Sequence, residues 1–390
     1  MKIQLLIDQV YLPSLGGGNK ACRMLLEGLA ASGHECAAVA RAITTRAGPV
    51  TEAQFLDQMA GRGVEVRTTG AHRFRYETAG VTVDAHNLPR GEAREAVAAW
   101  VRDFEPDWVL VSDDRDSVLV DAALEAAPER VVYIAQTIVH LPFGPLAHTS
   151  DAAQTERLRR ARARVVISRS LGEYLERHAG LDSTQILPPV FGRGPFPVLS
   201  SYDQGYVTLI NPCVEKGLDL FLALARRLDS VSFAAVPTWG ADASVLDALE
   251  AADNVTVLQP KDDIRDILSQ TRILLAPSMW PETLGYVAIE AMLHGIPVLA
   301  SDIGGLKEAM LGMDYLLPVR PAERVDGSFV SGEQDLEPWL AALNALLHER
   351  ATYDRVARAS REAAHDYVAP ISADAFARFL SDLQSLAAPA

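Results

Sequence analysis

Short runs rich in valine, isoleucine and leucine alternate along this chain with amphipathic stretches of helical length. No other feature constrains its fold as strongly, because this alternation is typical of parallel sheets in which each strand returns through a helix. The pattern predicts strands over residues 2–6, 108–112, 131–135, 164–168, 206–211, 232–236, 254–258, 272–276 and 297–300. It breaks off before residue 206 and then starts again. We therefore expect an α/β protein with two Rossmann-like domains.

A stretch dense in proline and glycine, LPPVFGRGPFPVLSS, occupies residues 187–201 between the two sets of strands. This composition disfavours both helices and central strands, so it predicts a linker between domains. We place the domains at 1–194 and 195–370. A helix predicted after Pro370, with Phe376, Phe379 and Leu380 on it, is expected to complete the first domain as 371–390. Ligands of such folds bind at the carboxyl ends of strands, and we expect a cleft between the domains.

The chain is acidic, with 51 aspartates and glutamates against 36 lysines and arginines and a net charge of −15. This charge disfavours nucleic acid and anionic membranes as partners. A local exception is a run of five arginines at 157, 159, 160, 162 and 164. We favour a solvated helix face over a site for an anionic ligand as its explanation.

Three cysteines, Cys22, Cys36 and Cys213, lie far apart in the sequence. Their number and spacing favour neither a disulfide framework nor a zinc site, and are typical of a reducing cytosol. No apolar run reaches the roughly 18–20 residues that span a bilayer. The first residues, MKIQLLIDQV, are interpreted as a buried strand because Asp8 interrupts any signal-peptide core. We therefore expect a cytoplasmic protein.

The most informative segment is LLAPSMWPETLGYVAIEAMLHGIPVLASDIGGLKE, residues 274–308. A strand ends at Pro277, a loop follows with Glu282, and a helix is predicted to start near Leu284. Gly285 would allow close approach to the backbone, and the first-turn N–H groups suit a diphosphate. Glu290 then lies about 9 Å along the helix, near the hydroxyls of a ribose. Glu282 is placed to meet the sugar at the other end of such a ligand.

Glu282 and Glu290 form an E-x7-E pattern flanked by PSMWPET, GYVAIEAM, HGIPVLAS and GG-x-x-E. This segment resembles glycosyltransferase family 4, a retaining family with the GT-B fold. The alternative is a buried helix whose glutamates make ordinary salt bridges, and the surrounding motifs disfavour it. The resemblance implies a nucleoside-diphosphate sugar as donor and retention at the anomeric carbon, and we expect no cofactor. Together with both glutamates, it implies donor contacts from Thr283, Leu284, Gly285 and Tyr286.

A second element, NPCVEKGLDLFLALA, opens at Asn211 after a predicted strand. Lys216 precedes Gly217 at a strand-to-helix turn, where an ammonium group can neutralise phosphate oxygens. Similar enzymes have arginine in place of Asn211, so that arginine and lysine bind the diphosphate together. Asn211 can still donate a hydrogen bond to the donor but contributes no charge. We therefore expect Lys216 to supply most of the positive charge, unless Arg169 or another arginine substitutes.

Three consecutive glycines, Gly16, Gly17 and Gly18, lie between the first strand and a helix predicted over 19–31. In similar enzymes this loop approaches the donor's phosphates and sugar across the cleft, which implies donor contacts from Gly17 and Gly18. A flexible turn is the alternative.

Relatives commonly have a catalytic histidine just after the strand that corresponds to 131–135. Gln136 occupies that position here, and His140 follows four residues later. Either His140 has taken over the role or Gln136 makes a neutral hydrogen bond to the sugar, and a structural role for His140 is a third alternative. Asp114 and Asp116 resemble a D-x-D metal motif, but a cap for the next helix or an acceptor contact is favoured. No metal is expected.

Together these features predict a glycosyltransferase whose reaction centre includes Glu282 with His140 or Gln136. Residues 1–194 are expected to bind the acceptor, a soluble small molecule such as a specialised metabolite in preference to a lipid or protein. A nucleotide-sugar epimerase or a phosphorylase would share the donor site. The main alternative is a non-catalytic nucleotide-sugar-binding protein or an inactive partner subunit, suggested by Asn211 and Gln136 in place of the family's residues.

Overall fold

The computed structural model describes residues 1–14, 16–44, 49–112, 117–325 and 328–385. The chain forms two compact units, Met1–Arg193 with Ile371–Ala390 and Gly194–Pro370. The boundary expected from the linker composition lies one residue further along.

Within the described residues of the first unit, the strands form one sheet in the order β3-β4-β5-β2-β1-β6-β7-β8-β9. All neighbours are parallel except that β4 runs antiparallel to β3 and β5. The strands are β1 (Lys2–Val10), β2 (Glu35–Arg41), β3 (Val66–Gly70), β4 (Arg73–Thr78), β5 (Val81–His86), β6 (Trp108–Ser112), β7 (Val131–Ala135), β8 (Ala163–Val166) and β9 (Thr184–Gln185). The helices are α1 (Gly17–Ala31), α2 (Glu52–Gly61), α3 (Arg90–Phe104), α4 (Val118–Ala126), α5 (Ala152–Arg160) and α6 (Arg169–Ala179).

The second unit has a parallel sheet in the order β12-β11-β10-β13-β14-β15, followed by an antiparallel hairpin of β16 and β17. Its strands are β10 (Tyr206–Ile210), β11 (Phe233–Val236), β12 (Val255–Val257), β13 (Thr271–Ala276), β14 (Val298–Ser301), β15 (Leu316–Leu317), β16 (Glu323–Val325) and β17 (Ser328–Val330). Its helices are α7 (Leu218–Arg227), α8 (Ala243–Glu250), α9 (Arg265–Leu268), α10 (Tyr286–Leu293), α11 (Leu306–Ala309), α12 (Glu337–His348) and α13 (Arg350–Val368).

The central strands of both sheets are apolar on both faces because helices cover each side. In the first unit, Leu5 on β1 and Leu110 on β6 are register partners and are almost fully buried. In the second unit, Leu209 on β10 and Leu275 on β13 are also partners and buried. Within each sheet, this buried pair stabilises the strands whose carboxyl ends carry the candidate site.

The last helix, α14 (Ala373–Ser385), packs on α1 of the first unit. Phe376 and Leu380 are buried, and a Cβ atom added at Gly28 would lie 2.8 Å from the Ala373 side chain. Ser32 also donates a hydrogen bond of 2.7 Å to Asp374. The glycine therefore permits the close approach of these two helices.

Two features differ from the sequence-based prediction. The hairpin formed by β3 and β4 was not expected, because four of the five residues of β3 are exposed and show no apolar period. The arginine run is not one solvated face. Arg164 lies on β8 and is buried, and its guanidinium donates to the carbonyl of Asp182 at 2.8 Å and to that of Ala161 at 3.0 Å.

Cys22, Cys36 and Cys213 are buried thiols that form no disulfide bond. In the part of the chain that the structure describes, no helix has the length and apolar character needed to span a membrane.

Candidate functional site

The order of strands in the second unit identifies one edge of its sheet as a place where ligands bind. The chain builds β10, β11 and β12 to one side and then returns to place β13, β14 and β15 on the other. Loops that leave the carboxyl ends of β10 and β13 therefore diverge and leave a crevice, which is the usual ligand site of a doubly wound sheet. These loops comprise residues 211–217 and 277–285.

The loop after β13 is fixed by two glycines of the loop after β14. The N–H of Gly305 donates a hydrogen bond of 2.7 Å to the carbonyl of Glu282. A Cβ at Gly305 would lie 2.2 Å from the carbonyl oxygen of Thr283, and one at Gly304 would lie 2.7 Å from that of Glu282. Only glycine permits this approach, so the GG-x-x-E motif supports the backbone that presents Glu282.

Helix α10 begins at Tyr286, later than the start near Leu284 that the sequence predicts. Gly285 caps the helix with a left-handed φ of 98°, and a Cβ there would lie 2.6 Å from Leu306. Leu284 is buried at 1% exposure, so its side chain is not available to a ligand. Glu290 is half-buried one turn after Tyr286, about 6 Å along the axis instead of the expected 9 Å.

Lys216 ends a short 3-10 turn, Val214–Lys216, that is locked against the loop after β13. Gly217 has a φ of 81°, and a Cβ there would lie 2.1 Å from the carbonyl oxygen of Pro277. The N–H of Met279 also donates to the carbonyl of Glu215 at 2.8 Å. The two loops therefore form one structural unit although more than 60 residues separate them in the sequence.

The side chains of Lys216 and Glu282 form an ion pair between these loops. Ser278 donates a second hydrogen bond of 2.5 Å to the same carboxylate oxygen of Glu282. The two charged side chains are only 22% and 12% exposed, so water screens this pair less than a surface pair. An incoming anion would have to share or displace the Lys216 ammonium group.

Asn211 has a structural role that the sequence did not reveal. It is buried with a left-handed φ of 61°, a conformation that asparagine tolerates better than most residues. Its Oδ1 accepts hydrogen bonds from the hydroxyl of Thr238 at 2.6 Å and from the N–H of Gly240 at 2.9 Å. Asn211 thus fixes the loop after β11 against β10, while its buried Nδ2 has no hydrogen-bond partner among the described residues.

In the first unit, the glycine loop follows β1 at the corresponding reversal of strand order, between β1 and β6. Gly16 is the cap of α1 with a φ of 90°, and Gly17 and Gly18 form the first turn of that helix. The helix thus begins two residues earlier than the sequence predicts. Its amino end presents N–H groups at the edge of the sheet.

Gln136 anchors this glycine turn from the end of β7. Its Nε2 lies 2.9 Å from the carbonyl of Gly18, 2.9 Å from the sulfur of Cys22 and 3.2 Å from the hydroxyl of Ser112. The carbonyl of Gly18 can only accept, which fixes the orientation of the amide. The buried side chain therefore joins the ends of β6 and β7 to the first turn of α1.

The structure also places His140 and Arg169, two further residues that the sequence suggests for the site. His140 ends the short turn Ile138–His140 after β7 and is half-buried. Arg169 is exposed at the start of α6. Asp114 and Asp116 lie outside the described residues. Among the residues that are described, no three His, Cys, Asp or Glu side chains are grouped so that they could hold a metal ion.

Two cavities of about 400 and 600 Å³ lie away from these loops. The first lies beside α13 and the second beside α6. Neither is lined by residues 211–217 or 277–285, and the site is better defined by strand order and fixed polar groups than by enclosed volume.

Comparison with known sequences finds a likeness to glycosyltransferases within the second unit. Residues 204–349 match the family described as "Glycosyl transferases group 1". The chain is 34% identical over 111 residues to D-inositol 3-phosphate glycosyltransferase of Mycobacterium marinum, covering 28% of this chain and 21% of that protein. It is 34% identical over 115 residues to alpha-maltose-1-phosphate synthase of Mycobacterium tuberculosis, covering 28% and 26%. The chain thus spans about a fifth to a quarter of the length of these relatives.

Solved structures extend the likeness to the whole chain as a fold. Sucrose-phosphate synthase of Thermosynechococcus elongatus superposes with a TM-score of 0.70 over 99% of this chain and all of that one, at 16% identity. Anabaena HepE in complex with UDP and glucose gives 0.67 over 99% of each chain, at 17% identity. The chain has the GT-B fold of glycosyltransferases, and the resemblance to them is confirmed. Its assignment to family 4 stays a prediction.

Proposed function

We propose that this protein transfers a sugar from a nucleoside-diphosphate donor to a small-molecule acceptor, with retention at the anomeric carbon. The observation on which this rests is the Lys216–Glu282 pair at the point where the strand order reverses. It adjoins the start of α10, inside the segment that matches the glycosyltransferase family. A cation, a carboxylate and the amino end of a helix are what a diphosphate sugar requires.

In this proposal the donor lies along the loops after β10 and β13. Lys216 and the first N–H groups of α10 bind the diphosphate, and Glu290 accepts hydrogen bonds from the ribose. Glu282 accepts hydrogen bonds from hydroxyls of the sugar. Negative charge increases on the diphosphate as the glycosidic bond breaks, and these fixed donors stabilise it without rearrangement.

The solved neighbours support a nucleoside-diphosphate donor, since Anabaena HepE has been crystallised with UDP-glucose. The names of the relatives describe transfer to, or formation of, small phosphorylated molecules. We infer that residues of the first unit bind the acceptor, and that Gly17 and Gly18 of the glycine turn contact the donor. We further propose that the reaction needs neither metal nor cofactor and takes place in the cytoplasm.

A second candidate is a protein that binds a nucleotide sugar without transferring it. Two observations favour it: Asn211 uses its carbonyl oxygen to hold Thr238 and Gly240, and Gln136 uses its amide nitrogen within the protein. Neither residue supplies the charge or the ring nitrogen that the family pattern has at these positions. The same donor site would then serve recognition alone.

Incubation of the full chain with labelled UDP-, GDP- and ADP-sugars and a panel of acceptors separates the two candidates. The transferase predicts acceptor-dependent release of the nucleoside diphosphate and a product whose anomeric configuration matches the donor, seen by NMR. The binding protein predicts a retained donor without turnover. Absence of both binding and turnover would contradict the donor site itself.

A further inference from the structure

A row of basic side chains crosses three neighbouring strands of the first unit's sheet, at the end where β2 and β5 finish. Arg73 on β4 is the register partner of His86 on β5, and His86 is the partner of Arg41 on β2. Residues that lie opposite each other on adjacent strands project from the same face of a sheet. Since strands are about 4.8 Å apart, all three side chains emerge within about 10 Å of one another.

His86 supplies a neutral hydrogen-bond donor in this row. It is 3% exposed, and its Nδ1 accepts a hydrogen bond of 3.3 Å from the N–H of Leu88, which places the ring proton on Nε2. Burial, together with Arg41 and Arg73, lowers the pKa of His86 to about 4. The Nε2–H group donates to no other group among the described residues.

Arg73 supplies a positive charge without an anionic partner in the described part of the chain. Its guanidinium lies over the ring of Trp100 on α3, 5.5 Å from the ring centre, and the same ring lies 5.7 Å from His86. An aromatic face holds a guanidinium in place but leaves its N–H edge available. Trp100 thus positions Arg73 beside the donor of His86.

Two acidic groups near this row, Asp84 and Asp8, are already paired. Asp84 accepts both hydrogen bonds of Arg75, at 2.8 and 3.1 Å. Asp8 pairs with Arg41 at 2.8 Å, where both side chains are partly exposed and the attraction is screened. An anion that reached Arg73 could therefore also compete with Asp8 for Arg41.

We propose that Arg73, His86 and Arg41 bind the phosphate or carboxylate group of an anionic acceptor. The site lies at the carboxyl ends of β2 and β5, and β2 is the neighbour of β1, whose following loop holds the glycine turn. This proposal rests on the proposed transferase function, and it narrows the acceptor to small molecules with such a group. Arg73 is the residue that makes the site selective for an anion, because Arg41 is already paired with Asp8.

Binding of inorganic phosphate and of citrate tests the site without reference to activity. We would titrate each into the full chain, with and without saturating UDP, and follow the His86 ring signals by NMR. UDP blocks phosphate at the donor site. Arg73→Gln should weaken anion binding about tenfold, and Arg73→Lys should restore most of it. Arg102→Gln is the matched control, because it removes one exposed positive charge from the same helix as Trp100 and should leave binding unchanged.

Equal binding by Arg73→Gln and the unmodified chain would overturn the proposal, and so would an equal loss in Arg102→Gln. Transfer assays then compare acceptors that differ only in a phosphate or carboxylate group. An Arg73→Gln variant should raise the KM of the anionic acceptor about tenfold and leave that of the donor unchanged. Turnover with no preference for anionic acceptors would refute this site but not the transferase, whereas anion binding without turnover would refute the transferase alone.

Discussion

Removal of the Lys216 side chain is the sharpest test of the Lys216–Glu282 ion pair at the donor site. It leaves the Glu282 carboxylate without its cation, and this changes the expected affinity for an anionic ligand. Lys216→Ala deletes a charge-assisted hydrogen bond to the diphosphate, which contributes about 1.5–3 kcal/mol. It also leaves the Glu282 carboxylate, 12% exposed, without its cation and beside the diphosphate. Both effects weaken binding of the nucleoside diphosphate.

The repulsive part can be estimated from the geometry. A lysine that bridges two anions keeps their oxygens about 6 Å apart. At that distance, unit charges repel by roughly 0.7–2.8 kcal/mol for effective dielectric constants between about 80 and 20. Lys216→Ala should therefore raise the Kd of the nucleoside diphosphate by at least about tenfold. The double variant Lys216→Ala/Glu282→Gln should recover the repulsive part, roughly 3- to 100-fold in Kd.

Glu282→Gln alone should leave the affinity for the free nucleoside diphosphate equal or higher, because Lys216 no longer has a competing anion. Its turnover with the complete donor should fall, since the carboxylate is proposed to hold the sugar. Calorimetry on Lys216→Ala, Glu282→Gln and the double variant completes a double-mutant cycle. Melting temperatures confirm that each variant folds. Lys2→Ala is the control, as this lysine pairs with Glu35 in the first unit. The reasoning would be refuted if Lys216→Ala left the Kd of the nucleoside diphosphate unchanged. It would also be refuted if Glu282→Gln raised that Kd as much as Lys216→Ala does.

Four further substitutions test other parts of the site. Glu290→Ala should weaken nucleoside-diphosphate binding by about 1.5–3 kcal/mol per lost ribose hydrogen bond, and unchanged affinity by calorimetry would contradict the ribose assignment. Asn211→Arg should lower the melting temperature without tightening binding, because it removes the acceptor of two loop hydrogen bonds; a stable, more active variant would contradict this. Gln136→Ala should lower both the melting temperature and kcat, because its amide holds the glycine turn. If His140 contacts the reacting sugar, His140→Ala should lower kcat and kcat/KM together without changing nucleotide affinity, and normal kinetics in both variants would exclude this loop from the reaction centre.

The sequence predicts those parts of the fold in which apolar periodicity is strong. The strands Trp108–Ser112 and Val131–Ala135 are found as predicted, since both are fully buried and consist mostly of apolar residues. Strand β1 continues to Val10, past the predicted end, because the exposed Asp8 and Gln9 interrupt the apolar run without ending the backbone pairing.

The turns of the donor loops can be predicted from the sequence because glycines mark them locally. Gly285 and Gly217 adopt positive φ angles that other residues disfavour, and both lie directly before a helix. The Lys216–Glu282 ion pair could not be predicted in the same way. It depends on β10 and β13 being neighbours, which is a property of the sheet and not of either segment.

The roles of Asn211 and Gln136 also depend on tertiary structure. A sequence pattern shows only that each stands where relatives have another residue. The structure shows the buried partners, Thr238 and Gly240 for Asn211 and Gly18 for Gln136. Such contacts join different loops at the sheet edges, so no local sequence signal predicts them.

A crystal structure of the protein with a bound nucleoside-diphosphate sugar would test the central claim most directly. The account predicts phosphate oxygens within hydrogen-bond distance of the Lys216 ammonium group and of the first N–H groups of α10, about 2.7–3.2 Å. The ribose should contact the Glu290 carboxylate, and Glu282 should accept from the sugar. A donor bound elsewhere, such as the cavity beside α13, with the Lys216–Glu282 pair undisturbed, would contradict it.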